Sequence, residues 1–74
     1  MVVTDARPTS FPQRIRAARA LRSLRQADLA AQCGLNLQTI SQLELGRREP
    51  TLSTVRKLAR ALGVPLDWLI GESE

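Results

Sequence analysis

Apolar residues recur along this chain at helical spacing in five short stretches, separated by turn formers. Phe11, Ile15, Ala18 and Leu21 or Arg22 mark the first, which the spacing places at about 11–23. Ser10 precedes it as an N-cap, Gln13 stands at capping-box distance, and Pro12 is tolerated in a first turn. Gln26–Cys33 reads as a second helix with Leu29, Ala30 and Cys33 on one face. Gly34 follows where a left-handed C-terminal cap favours a residue without a side chain. Asn36 caps a third helix at 37–45, which Gly46 stops. Pro50 and Thr51 open a fourth, Leu52–Leu62, with Leu52, Val55, Leu58, Ala59 and Leu62 inward and Gly63 at its end. Pro65 begins a brief fifth through Ile70, closed by Gly71. With no alternating β-branched run, the pattern predicts an all-α fold, a compact bundle of five helices joined by short loops. Residues 1–9 read as a flexible tail, 10–71 as one domain and 72–74 as a short acidic tail.

Helices two and three obey the steric demands of two helices crossing steeply through a tight turn. Ala30 is small where the second helix must press on the first. Gly34 accepts the unusual backbone angle of the turn, and Leu35 plugs the corner behind it. Ile40 and Leu43, three apart, bury one face of helix three. The alternative is a helical hairpin of purely structural use. The opposite face is then Leu37, Gln38, Ser41, Gln42 and Leu45, all uncharged. Glutamine pairs with adenine at N6 and N7, and an apolar side chain touches a thymine methyl. The plainer alternative is an ordinary polar face with two stray leucines. Arg25 before the motif and Arg47 and Arg48 after it favour the first reading, because base readout and phosphate clamping need separate neutral and cationic parts.

Charge agrees with that picture without deciding it. The 74 residues carry 11 Lys and Arg against 7 Asp and Glu, a formal net charge of +4. All the cations except Lys57 are arginine, the side chain whose fork matches phosphates and guanine edges. A chain this short holds one domain and needs an efficient core or a partner. Cys33 is the sole cysteine and there is no histidine, so neither an internal disulfide nor a Cys/His metal site is expected. No cofactor is expected, and no nucleophile–base pair or phosphate loop points to catalysis, so the chain reads as a non-enzyme. Residues 1–10 lack the apolar run of a signal peptide, and no segment approaches a membrane span, so a reducing cytoplasm is the simplest compartment.

The stretch from Leu24 through "LAAQCGLNLQTISQLELGRREP" to "LARALGVPLDWLIG" resembles the lambda-repressor-like, Cro/CI-type (XRE) helix-turn-helix family, from about Phe11 to Gly71. Gln26, Ala30, Gly34, Ile40, Ser41, Glu44, Gly46, Arg48 and Pro50 carry the likeness. The resemblance implies that Leu37, Gln38, Ser41 and Gln42 read bases, while Gln26, Thr39, Gly46, Arg47 and Arg48 approach phosphates. It also implies an ion pair between Arg19 and Glu44, and Glu44 beside Leu43 and Ile40 would need a cation there. The chain departs from the family where Ser or Thr often precedes the helix-two glutamine. Arg25 forfeits that cap, worth about 1 kcal/mol, and gains a phosphate contact. Leu45 stands where a polar residue often meets the backbone.

One recognition helix reads few base pairs, so a homodimer on a palindromic operator in double-stranded DNA is expected, with helices about 34–36 Å apart. Leu66, Trp68, Leu69 and Ile70 crowd more apolar bulk into the C-terminal third than one short helix buries, and are the expected interface. The alternative is that Trp68 merely caps the monomer core. The resulting expectation is a small repressor. An antitoxin that neutralises a partner protein and binds DNA secondarily is the runner-up, though residues 1–9 and 72–74 are poor wrapping segments. A toxin or the transcription machinery would be the further partners. A single-strand or RNA binder needs exposed aromatics, and Phe11 and Trp68 both fall on apolar faces.

Overall fold

The computed structural model describes residues 10–71. The tails expected at 1–9 and 72–74 lie outside the described residues. Five helices follow in order: α1 (Phe11–Leu21), α2 (Gln26–Cys33), α3 (Leu37–Glu44), α4 (Leu52–Leu62) and α5 (Leu66–Ile70). Their ends are set by local chemistry. The Ser10 side chain accepts from Gln13 N–H at 3.3 Å, and Gln13 Oε1 accepts in return from Ser10 N–H at 3.2 Å. Asn36 accepts from Thr39 N–H at 2.7 Å, and Thr51 accepts from Thr54 N–H at 3.1 Å.

Ile15, Leu29, Ile40, Leu43, Leu58, Leu62 and Leu69 are the large apolar side chains sealed at the centre. Helix α2 packs on α3 and α4, while α1 reaches α3, α4 and α5. The buried row of α4 is Val55, Leu58, Ala59 and Leu62, spaced as one face of a helix. Cys33 lies in this core, where burial pushes its thiol pKa up. It is therefore a small hydrophobe here.

Two leucines depart from the sequence expectation. Leu21 is 87% exposed. It lies six residues past Ile15, about one and two-thirds turns at 3.6 residues per turn, and so points away from the core. The inward row passes instead through Ile15, Ala18 and Arg19, and Arg22 reaches the Gly63 carbonyl. Leu52 is 56% exposed rather than inward: at 100° per residue it falls at the edge of the buried row, and it lines a surface cleft with Ser53, Arg56 and Arg60. At the boundaries, Leu45 is the C-cap of α3 and Pro65 the N-cap of α5, each an end residue of the expected helix that lies one residue outside the observed one.

Candidate nucleic-acid interface

Helix α3 is placed by the turn before it. Gly34 takes φ +70°, a left-handed angle that side chains rarely adopt. Leu35 N–H then donates back to the Ala30 carbonyl at 3.0 Å, which closes the end of α2 and redirects the chain. Leu35 packs half-buried on the core, and Asn36 opens α3. Ile40, Leu43 and Glu44 face inward. The face turned outward is the one expected: Leu37 and Leu45 are 50% and 59% exposed, Gln38 is exposed, and Ser41 and Gln42 are half-exposed.

The far end of α3 is pinned from beneath. Glu44, only 2% exposed, is the buried charged residue among the described residues. Arg19 Nε donates to its Oε2 at 2.7 Å and Arg19 Nη2 to its Oε1 at 3.0 Å. Gln26 Nε2 adds a third donor to Oε1 at 3.1 Å. Arg16 donates to the Glu44 carbonyl, so cations also meet the negative end of the α3 dipole. Gln26 is thus turned toward the carboxylate, with its amide donor occupied and its side chain half-buried.

Two arginines of α1, Arg14 and Arg19, are half-buried internal ties. Arg14 Nη1 donates to the Trp68 carbonyl at 2.8 Å, and its guanidinium stands 5.3 Å from the centre of the Trp68 ring. Arg19 Nη1 also holds the Leu24 carbonyl at 2.9 Å. No sequence signal marks the Arg14 contacts, because they join a long flexible side chain to a residue 54 positions away. Asp28, which the sequence reading passed over, was findable. It sits at the capping-box position after Arg25, and its carboxylate accepts from Arg25 N–H at 2.9 Å. A guanidinium has no acceptor, so only this half of the box forms at α2. The Arg25 side chain folds onto Asp28 at 3.2 Å and holds that carboxyl below its usual range.

Arg47 and Arg48 lie beyond α3, past Gly46 at φ +73°, and both are exposed. Arg48 Nη1 donates to Gln42 Oε1 at 3.2 Å and to Thr39 Oγ1 at 3.3 Å. Thr39 in turn donates its hydroxyl to Asn36 Oδ1 at 2.8 Å. The structure therefore brings Gln38, Ser41, Gln42, Thr39 and Arg48 onto one surface.

The expected partner-facing set in the C-terminal third needs one correction. Leu69 is fully buried in the monomer core and cannot also face a partner. Leu66 and Trp68 are half-buried against the same core, and Ile70 is 39% exposed. Ile70 lines a surface cleft of about 300 Å³ with Phe11, Pro12 and Pro50. Among the described residues no His, Cys, Asp and Glu cluster is arranged to hold a metal, and no helix is long and apolar enough to cross a membrane.

Comparison with known proteins bears on this surface. A helix-turn-helix family model matches residues 15–69. The Vibrio cholerae cryptic phage CTXphi transcriptional repressor RstR is 39% identical over 64 residues, which cover 86% of this chain and 58% of that repressor. The chain thus spans little more than half of that relative's length. Among solved structures, the restriction-modification controller protein C.AhdI from Aeromonas hydrophila superposes with a TM-score of 0.79 at 34% identity, covering 82% of this chain and 92% of that one. The P22 c2 repressor in complex with a synthetic operator gives a TM-score of 0.81 at 33% identity, covering 86% of this chain and 97% of that one. The chain belongs to the helix-turn-helix family of the lambda-repressor-like, Cro/CI (XRE) type.

Proposed function

We propose that this chain is a sequence-specific regulator of transcription that binds a palindromic operator in double-stranded DNA as a homodimer and represses by occupying it. The observation that carries the reading is the outward face of α3, which is exposed and uncharged while its opposite face is packed and its far end is pinned by Arg19 and Glu44. A rigid neutral face between cationic flanks supports division into base readers and phosphate holders. Leu37, Gln38, Ser41 and Gln42 are the readers. Arg25, Thr39, Gly46, Arg47 and Arg48 hold phosphates. Gln26 joins them only by donating from its amide NH₂, the group that donates to Glu44 in this structure, so its first role is to support α3. Ile70, with the exposed parts of Leu66 and Trp68, forms the dimer contact, and the protein works in the cytoplasm. Two relatives, a phage transcriptional repressor and a repressor bound to a synthetic operator, favour the same reading.

Fluorescence anisotropy with labelled duplex, single-stranded DNA and single-stranded RNA of equal length tests it. Duplex binding should be tightest and fall steeply with salt. Equal or tighter binding to either single strand would reject the assignment.

A further inference from the structure

The contact between Arg48 and Gln42 has a consequence for which base is read. A glutamine amide offers a carbonyl on one side and an NH₂ on the other, whereas a guanidinium offers donors alone. Gln42 can meet Arg48 only through its carbonyl, and Oε1 lies 3.2 Å from Arg48 Nη1. The second hydrogen on the same nitrogen goes to Thr39 Oγ1 at 3.3 Å. Thr39 has its own hydrogen committed to Asn36 Oδ1 at 2.8 Å, so its oxygen faces Arg48 as an acceptor. Every donor in this chain points one way, from Arg48 through Thr39 to the helix cap. Turning the Gln42 amide over would set its NH₂ against a guanidinium, donor against donor. Arg48 Nε and Nη2 make no hydrogen bond among the described residues, so Arg48 can hold Gln42 and still meet a phosphate.

We propose that Arg48 is a specificity-setting residue, which fixes the Gln42 amide with its NH₂ outward and so makes Gln42 a reader of guanine. The inference rests on Gln42 being a base-reading residue. Paired reading of adenine requires an amide carbonyl to accept from N6 and an NH₂ to donate to N7. Arg48 takes one of the two lone pairs of Oε1 and holds that oxygen on its own side, so the carbonyl is no longer free to turn with the NH₂ onto an adenine edge. What remains is two N–H donors. Guanine presents two acceptors, O6 and N7, in the major groove, and thymine one. Adenine offers N7 alone with its N6 donor beside it, and cytosine offers a donor, so both match the outward NH₂ less well than guanine. Gln38 has no such tie and keeps both ends of its amide for adenine.

Affinities for duplexes that differ only at the base pair whose preference disappears in Gln42→Ala provide the test. The parent should bind the guanine duplex about tenfold more tightly than the adenine duplex, the size expected of one good amide–base contact. Arg48→Ala should reverse that order toward adenine, since the amide is then free to use both ends. Arg48→Lys, which still offers donors and no acceptor, should keep the guanine preference. If Arg48→Ala weakens all the duplexes equally and leaves guanine preferred, Arg48 is a phosphate contact alone and the proposal fails while Gln42 remains a reader. If Gln42→Ala removes no base preference at any position, the base-reading role of Gln42 fails, and the proposal with it.

Discussion

Arg19 grips Glu44 side-on beneath the last turn of α3, with Nε 2.7 Å from Oε2 and Nη2 3.0 Å from Oε1. The pair ties α1 to the last turn of α3. Its side chains are 20% and 2% exposed, so the carboxylate is almost wholly desolvated and depends on its donors. Removing one member of such a pair strands the other. Glu44→Ala should lower stability by about 3 kcal/mol, the lower end of the usual range because Arg19 keeps some contact with water. Arg19→Met combined with Glu44→Leu should recover most of that loss. Urea unfolding checks both, and a Glu44→Ala protein with the parent's midpoint would refute the buried pair's role.

Gln38 is exposed on α3 and has no side-chain tie among the described residues. Gln38→Ala should relax preference at one base pair by about 1–3 kcal/mol and leave affinity for random duplex almost unchanged. Competition binding with mismatched operators measures this. A uniform loss on specific and random DNA would remove Gln38 from the readers.

Arg47 is exposed past the end of α3, and its backbone N–H donates to the Gln42 carbonyl at 2.9 Å. A phosphate contact from its side chain predicts that Arg47→Ala weakens specific and random binding alike. The slope of log affinity against log salt should fall by about one. An unchanged slope would place Arg47 away from the backbone.

Asp28 carries a pH prediction. The Arg25 side chain and backbone N–H both stabilise its ionised form, so its carboxyl titrates below the ordinary value of about 3.9. For a carboxyl lowered in the folded state, the stabilisation is complete above the unfolded value and is lost as pH falls through the folded one. Carboxyl NMR titration should place Asp28 below the ordinary range in the parent and nearer to it in Arg25→Ala. A parent midpoint at or above the ordinary value would contradict the contact.

Leu69 and Ile70 are neighbours with opposite surroundings, 0% and 39% exposed. Leu69→Ala should destabilise the monomer by about 2–5 kcal/mol through the cavity it leaves. Ile70→Ser should leave the melting of the fold near the parent's and weaken self-association in sedimentation. Unaltered association of Ile70→Ser would move the dimer contact elsewhere.

The legible part of this fold is the part encoded within a few residues. Ser10 with Gln13, Asn36 with Thr39, and the turn at Gly34 are spaced so closely that the pattern alone places them. The inward phase of α3 follows from Ile40 and Leu43, and its outward face from their complement. Periodicity gives the phase of a helix, not how far its neighbours cover it. Leu52, at the edge of the inward row of α4, therefore stands in solvent, and Leu69 is sealed where crowding suggested a partner surface. The ties of Arg14 to Trp68 and Arg16 to Glu44 join side chains to carbonyls 54 and 28 residues away, and no local pattern records them. The orientation of Gln42 belongs to the same class. Its type and helical position are readable, but which end of its amide is free depends on Arg48 crossing back from the following loop.

The central claim is that α3 reads a two-fold symmetric site in duplex DNA. Selection of binding sites from a random duplex library tests it most directly. A palindromic consensus with half-site centres about one helical turn apart, near 10 base pairs, is the expected result. A single unpaired half-site, or a library that emerges without any enriched sequence, would contradict it.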